Sequence, residues 1–214
     1  MAITWASAKA EIQDTLDDVT FETGGGSVDY LLTWANRIQK EVHWELDIRQ
    51  NLTNGDITGT TSDYYLDLPT DYLKHSNRFT KVRVDDEYID IISLEILNDY
   101  DPDHDEVTTA SEPSYVSIEG GKLWIYPMIA ATFTVENYFG VPVAITAAGN
   151  IDIPDDHFAE DLIINGVCGK YGFSLLNEPE LEKQYRSKYY QLLEQYRTYL
   201  TQNNSRQIFE TEFY

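Results

Sequence analysis

Tyr115-Val-Ser-Ile-Glu-Gly-Gly-Lys-Leu-Trp-Ile-Tyr-Pro127 decides the class of the middle of this chain. Two apolar-rich runs, residues 115–118 and 122–126, flank a turn at Glu119-Gly-Gly121, and Pro127 ends the second run because it has no N–H for a ladder. This is a hairpin. Upstream, Val82 and Val84 alternate with Lys81 and Arg83, Asp85-Asp86 can turn, and residues 88–92 return as a partner strand. Residues 132–138 read as a further strand and 64–69 as extended chain. Asn54-Gly55 and Gly59 punctuate a loop, Ser93 caps a short turn over 94–97, and 98–113 form an acidic loop.

The flanks carry a different period. Trp5, Ala8, Ile12, Leu16 and Val19 recur at three- and four-residue spacing behind Thr4, a capping residue. Gly24-Gly-Gly26 breaks that helix and reads as a hinge; Ser27 or Asp29 starts a second, with the stripe Val28, Leu31, Ala35, Ile38 and Val42. After Pro154, acids crowd the first turns of a third helix, and Gly166 and Gly169 give it a strip suited to close approach of another helix. It ends near Leu176-Asn177. Pro179 opens a fourth, with Leu181, Tyr185, Tyr189, Leu192, Tyr196 and Tyr199 down one side. Residues 201–214 lose the period. The expected fold is α+β: a helical bundle of about four helices with a β-rich insertion between helices 2 and 3. The expected segments are a helical hairpin at 1–54, the insertion at 55–145, closing helices at 146–200 and an extended C-terminal arm at 201–214.

Charge is unevenly distributed. Between Val84 and Gly169 the chain has eighteen Asp or Glu and one base, Lys122, within a net charge of −22. Such a surface repels phosphate backbones and anionic lipid, which opposes tight nucleic-acid or membrane binding. Its plain reading is a solvated face that keeps the protein soluble. Its functional reading is a channel wall past which DNA slides without being gripped. Sixteen tyrosines and four tryptophans exceed what a small core needs and suit protein–protein contacts. A lone cysteine, no basic-then-apolar leader and no long apolar run predict a cytosolic chain without a signal peptide or membrane span.

Candidate chemistry is thin. Asp101, Asp103, Asp105 and Glu112 echo the spacing of a calcium loop, but Glu106 stands where that loop needs glycine and Pro113 blocks an exit helix. Cys168 and His157 share one predicted helix about 16 Å apart, too far for a nucleophile and base. The four histidines show no metal spacing, and no cofactor is expected. Trp124 and Tyr126 could stack a sugar, which keeps a carbohydrate-binding module open, although the face they share on a half-buried strand is ordinarily core. Paired carboxylates of a glycoside hydrolase remain a second alternative, without a distinctive pair to name.

Three segments, in order, resemble the head-to-tail adaptors of tailed bacteriophages, the head-completion or connector proteins that include the tail-tubular A-like group. They are Leu66-Asp-Leu-Pro-Thr-Asp-Tyr-Leu73, Ile118-Glu-Gly-Gly-Lys-Leu-Trp-Ile-Tyr-Pro127 and Asn150-Ile-Asp-Ile-Pro-Asp-Asp-His-Phe158, within a resemblance spanning roughly residues 28–200. It implies a non-enzymatic homo-oligomer, typically a twelve-fold ring below the portal protein. The ring extends the DNA channel and offers a platform to tail or nozzle proteins. Genomic DNA passes through without sequence-specific binding, and no membrane is involved. The location implied is the head–tail junction of the virion, after synthesis in the host bacterial cytoplasm. On this reading Tyr185, Tyr189 and Tyr196 are divided between bundle core and neighbouring subunit, and Ile208, Phe209, Phe213 and Tyr214 form a portal-docking arm.

Overall fold

The computed structural model describes residues 3–17, 29–60, 64–76, 79–100, 102, 113–127 and 129–211, with the side chains of 204–211 excepted. The chain divides into two compact units: Met1–Gln50 with Pro142–Tyr214, and Asn51–Val141.

The first unit is helical. In α1 (Trp5–Leu16), Thr4 Oγ1 accepts from the Ser7 N–H at 3.4 Å, and Asp17 closes the helix in the left-handed region at φ 48°. In α2 (Tyr30–Glu45), the Asp29 side chain accepts from the Leu32 N–H at 3.0 Å, so Asp29 is the start that the sequence left open with Ser27. Leu31, Ala35, Ile38 and Val42 of its expected stripe are fully buried. After α3 (Leu94–Tyr100), which belongs to the other unit, come α4 (Asp156–Val167), a π-helical turn over Cys168–Gly172, α5 (Phe173–Leu175) and α6 (Pro179–Thr211).

One face of α2 also binds chain that is neither helix nor strand. Asn36 Nδ2 donates to Ile145 O at 3.1 Å while its Oδ1 accepts from Ile145 N at 2.8 Å. Gln39, fully buried, donates to Val143 O at 2.8 Å and accepts from Asp152 N at 2.7 Å. His43 Nε2 lies 2.5 Å from Asp152 O. Residues at i, i+3 and i+7 share a helix face, so the two amides and the imidazole form one polar rail for residues 143–152. Further on, Gly169 lets α6 come close: a Cβ there would collide with the Arg186 backbone, 2.8 Å from its Cα.

The second unit is an eight-stranded mixed sheet, β1 (Leu52–Thr58), β2 (Tyr65–Asp67), β3 (Tyr72–Lys74), β4 (Lys81–Val84), β5 (Glu87–Ile91), β6 (Tyr115–Glu119), β7 (Lys122–Tyr126) and β8 (Thr132–Gly140). The order is β1-β8-β4-β5-β6-β7-β2, with β3 also on β8, and the end strands β1 and β2 touch, so the sheet curls toward closure as a barrel. Its core has Val82, Val116, Leu123, Phe133, Val135 and Tyr138 fully buried. The expected hairpins form as β4–β5 and β6–β7.

The expected fold class is overturned: a four-helix bundle with a modest insertion is replaced by a sheet that has its own core. β3 had no strand signal, and two further features were hidden. β1 read as a loop because Asn54-Gly55 is a turn signal, yet Gly55 lies inside the strand at a register shift. Its missing Cβ makes room for the Pro69 ring, which a Cβ would meet at 2.5 Å. β5 and β6 pair in parallel, which demands a crossover, and the short turn expected at 94–97 is a full helix, α3, that belongs to it. The arm expected at 201–214 is also corrected in part, because α6 remains helical through Thr211. Adding residues to an existing helix requires no new nucleus, so weakly patterned sequence can continue it.

The rail yields a stability test. Gln39→Leu keeps the volume but strands two backbone groups, and is expected to lower the urea-unfolding free energy by about 2–3 kcal/mol. Exposed Gln191→Leu on α6 is expected to change it by less than about 0.5 kcal/mol.

Candidate functional site

The described residues present an aromatic outer sheet face, two grooves beside it and an exposed face of α6. On β7 the alternation runs opposite to expectation: Leu123 and Ile125 are buried, and Trp124 and Tyr126 occupy the half-buried outer face. Cross-strand register sets Tyr65 beside Trp124 and Tyr115 beside Tyr126. Tyr65 and Trp124 pack at 5.1 Å between centroids, and Tyr100 of α3 stacks on Tyr115 and Tyr126 at 5.0 and 5.9 Å. Lys122 pairs with Asp67 and lies 4.6 Å over the Tyr65 ring. Trp124 is therefore covered and edged by neighbours, and is not the open platform that stacking on a sugar requires.

On the same outer face, Tyr88 of β5 is 60% exposed. Its hydroxyl donates to Glu136 at 3.2 Å, a bond to the phenol that raises its pKa, and Lys81 sits 4.8 Å over its ring. Arg83 is held by Glu136 at 2.6 Å and Asp86 at 3.2 Å. Tyr88 separates two grooves. One, of about 440 Å³, is lined by His75, Lys81 and Asp90 among others, with Asp90 its one carboxylate. The other, of about 300 Å³, has Asp85, Asp86 and Glu87 and no base in its lining. The first lacks the carboxylate pair of a glycosidase, and in the second the three acids are consecutive residues at an exposed turn.

In the helical unit, α6 is rotated relative to its expected stripe: Tyr189, Leu193, Tyr196 and Leu200 are buried, whereas Leu181 and Tyr199 are exposed. Tyr189 and Tyr196 are fully buried within their own subunit, so neither offers surface to a neighbour; Tyr185 is half-buried and packs on Phe173 at 5.0 Å. Tyr189 donates to Glu41 at 3.1 Å, and Lys170 pairs with Glu41 and lies over the Tyr189 and Tyr190 rings. The surface residues that sequence reasoning missed are Tyr88, Ile91, Leu175 and Tyr190. The Tyr189-Tyr190 doublet was the available signal, since adjacent helical residues cannot both face the core.

Asp101, Asp103, Asp105 and Glu112 lie outside the described residues, as do Gly24-Gly-Gly26, Phe213, Tyr214 and the side chains of Ile208 and Phe209. Among the described residues, no three His, Cys, Asp or Glu side chains are grouped to hold a metal, and no helix is long and apolar enough to cross a membrane. Cys168 is fully buried, and burial, reinforced by the negative charge of Glu11, pushes its thiol up to about 12.

The family model described as SU10 adaptor protein matches residues 3–209. The chain belongs to the SU10 adaptor protein family. No curated protein matches it. As a phage head-to-tail adaptor it is a viral structural protein of the virion, in a family whose role implies contact with portal and tail proteins and no enzymatic activity. The exposed side chains of β5 and α6 are accordingly the surfaces of interest.

Cys168 gives a pH signature. Its folded-state pKa is raised, so its contribution is complete below the unfolded value near 9 and declines as pH rises toward about 12. Stability is expected to fall by up to about 1.4 kcal/mol per pH unit once the unfolded thiol ionises. Urea titrations between pH 8 and pH 10 check this: Cys168→Ala should flatten the decline. A thiol reagent should label native protein only after unfolding.

Proposed function

We propose that the protein assembles as a ring, twelve-fold in the virion, at the head–tail junction beneath the portal, where it extends the DNA channel and offers the platform on which the tail attaches. The observation that carries this reading is the adaptor-family match across nearly the whole chain. Two features of the molecule support it. Apolar side chains remain exposed on both units, Tyr88 and Ile91 on one, Leu175 and Tyr190 on the other, as subunit contacts need. A net charge of −22 suits a lumen that must not retain passing DNA. A ring needs two different faces per subunit, in head-to-tail contact, rather than one self-complementary patch.

In this proposal the C-terminal segment bearing Ile208, Phe209, Phe213 and Tyr214 docks to the portal, and the free protein is monomeric until a portal ring templates it. Among the described side chains, Leu200 is the last of α6 in the buried core. Removal of 203–214 is therefore expected to leave the melting temperature within about 2 °C of wild type. The same deletion should abolish attachment to portal-containing heads, measured by co-sedimentation. Normal attachment of the truncated protein would move the docking role elsewhere in the chain. Native mass measurement of the full-length protein on isolated portal rings is expected to give twelve copies per ring.

A further inference from the structure

Copies of a chain with a net charge of −22 repel one another, so a ring can close only where the contact brings scarce cations against acids. The base-rich run of α6 meets that condition. From Lys183 to Leu193 it carries Lys183, Arg186 and Lys188 and no acid. Lys183, Arg186 and Tyr190 are spaced i, i+3 and i+7, which aligns them as one ridge, and all three are exposed. Arg186 has only a long 3.7 Å contact with Glu182, and Lys183 has no ion pair among the described residues. Tyr190, 45% exposed, is braced by Lys170 5.1 Å from its ring. The ridge is thus basic, partly aromatic and pre-ordered.

The β4–β5 side of the sheet unit has the opposite character. Its bases are already engaged: Arg83 by Glu136 and Asp86, and Lys81 by the Tyr88 ring. Glu87 and Asp90 have no ion pair among the described residues, and the groove of about 300 Å³ beside Tyr88 is lined by three acids and no base. A long basic side chain seated there would be met by carboxylates, with the exposed Tyr88 ring beside it for a cation–π contact.

We infer that the Lys183–Arg186–Tyr190 ridge of one copy docks on the outward Tyr88–Asp90 face of β5 in the next copy and on the acidic Asp85–Glu87 turn at its end. This rests on the ring reading and specifies which two faces meet. The faces are unlike, so the contact is heterologous and can propagate around a closed ring. Charge here sets orientation and pairing, while Tyr190 and Tyr88 contribute apolar area. The chain supplies both halves of the match, which favours a second copy over a portal or tail protein as occupant.

Charge reversal tests it on portal rings, with copies per ring read by native mass. Lys183→Glu/Arg186→Glu and Glu87→Lys/Asp90→Lys are each expected to cut full-ring occupancy at least about tenfold, and all four changes in one chain to restore it. Thermal melting of each variant identifies loss through misfolding. A second route is independent of charge. Tyr190→Cys and Tyr88→Cys chains, mixed on portal rings, should form disulfide-linked pairs that neither forms alone, with no background from the buried Cys168. Full rings from both reversed variants would overturn the inference. So would two defective variants whose combination is not rescued, an outcome that assigns these faces to a portal or tail partner, and so would the absence of mixed disulfide pairs. If wild-type protein itself forms no ring on portals, the ring reading fails instead.

Discussion

Buried backbone must have its hydrogen bonds satisfied, and the helical unit meets this demand at an awkward place. The chain leaves this unit after Gln50 and re-enters at Pro142. The re-entering segment has no regular ladder of its own: it closes a turn from Gly149 N to Thr146 O and bridges to Ile3 and Trp5, which leaves other backbone groups to be met. Asn36, Gln39 and His43 take over that task from one face of α2, leaving the apolar residues Leu31, Ala35, Ile38 and Val42 for the core. Ile145, Ile151 and Ile153 are then delivered into the same core. α2 therefore serves as both hydrophobic wall and polar rail.

A second constraint is the approach of α6 to the π-helical turn. A π turn bulges a helix outward, and here it coincides with Gly169, where the α6 backbone leaves no room for a side chain. The neighbouring Lys170 reaches Glu41, which also accepts from Tyr189, so a partly buried charge pair and an aromatic hydroxyl lock three elements at one point. That lock fixes the rotation of α6. It turns Tyr189 and Tyr196 inward and leaves Lys183, Arg186 and Tyr190 facing out. The surface available to a partner is a consequence of how the core closes.

An adaptor works through recognition, and recognition between strongly acidic copies is a problem of local charge placement. Among the described residues, Lys81, Arg83 and Lys122 of the sheet unit are engaged within it, on Glu136, Asp86, Asp67 and aromatic rings. On the outer face of β5, what remains is Tyr88 and Asp90. The outer face of the sheet also shows how aromatic excess is handled without solvent-exposed platforms: Tyr65 against Trp124, and Tyr100 over Tyr115 and Tyr126, cover one another.

The local elements were legible in the sequence because their signals are local. Thr4 and Asp29 cap helices, Glu119-Gly-Gly121 turns a hairpin, and Leu31, Ala35, Ile38 and Val42 are spaced for one helix face. The three ordered motifs also pointed to the adaptor family that the whole-chain match shows. What the sequence could not reveal depends on distant partners. Gly55 lies in a strand only because Pro69 and Tyr138 occupy the space beside it, and the parallel β5–β6 pair depends on a crossover that no short window contains. The core face of β7 was reversed because Leu-Trp-Ile-Tyr is apolar on both sides, so alternation alone cannot choose. On α6 the tyrosines near the apolar stripe are chemically alike, and only packing against Gly169, Lys170 and Glu41 settles which of them face inward. Sequence sets what each segment can form; burial, a property of the assembled whole, chooses among the faces it offers.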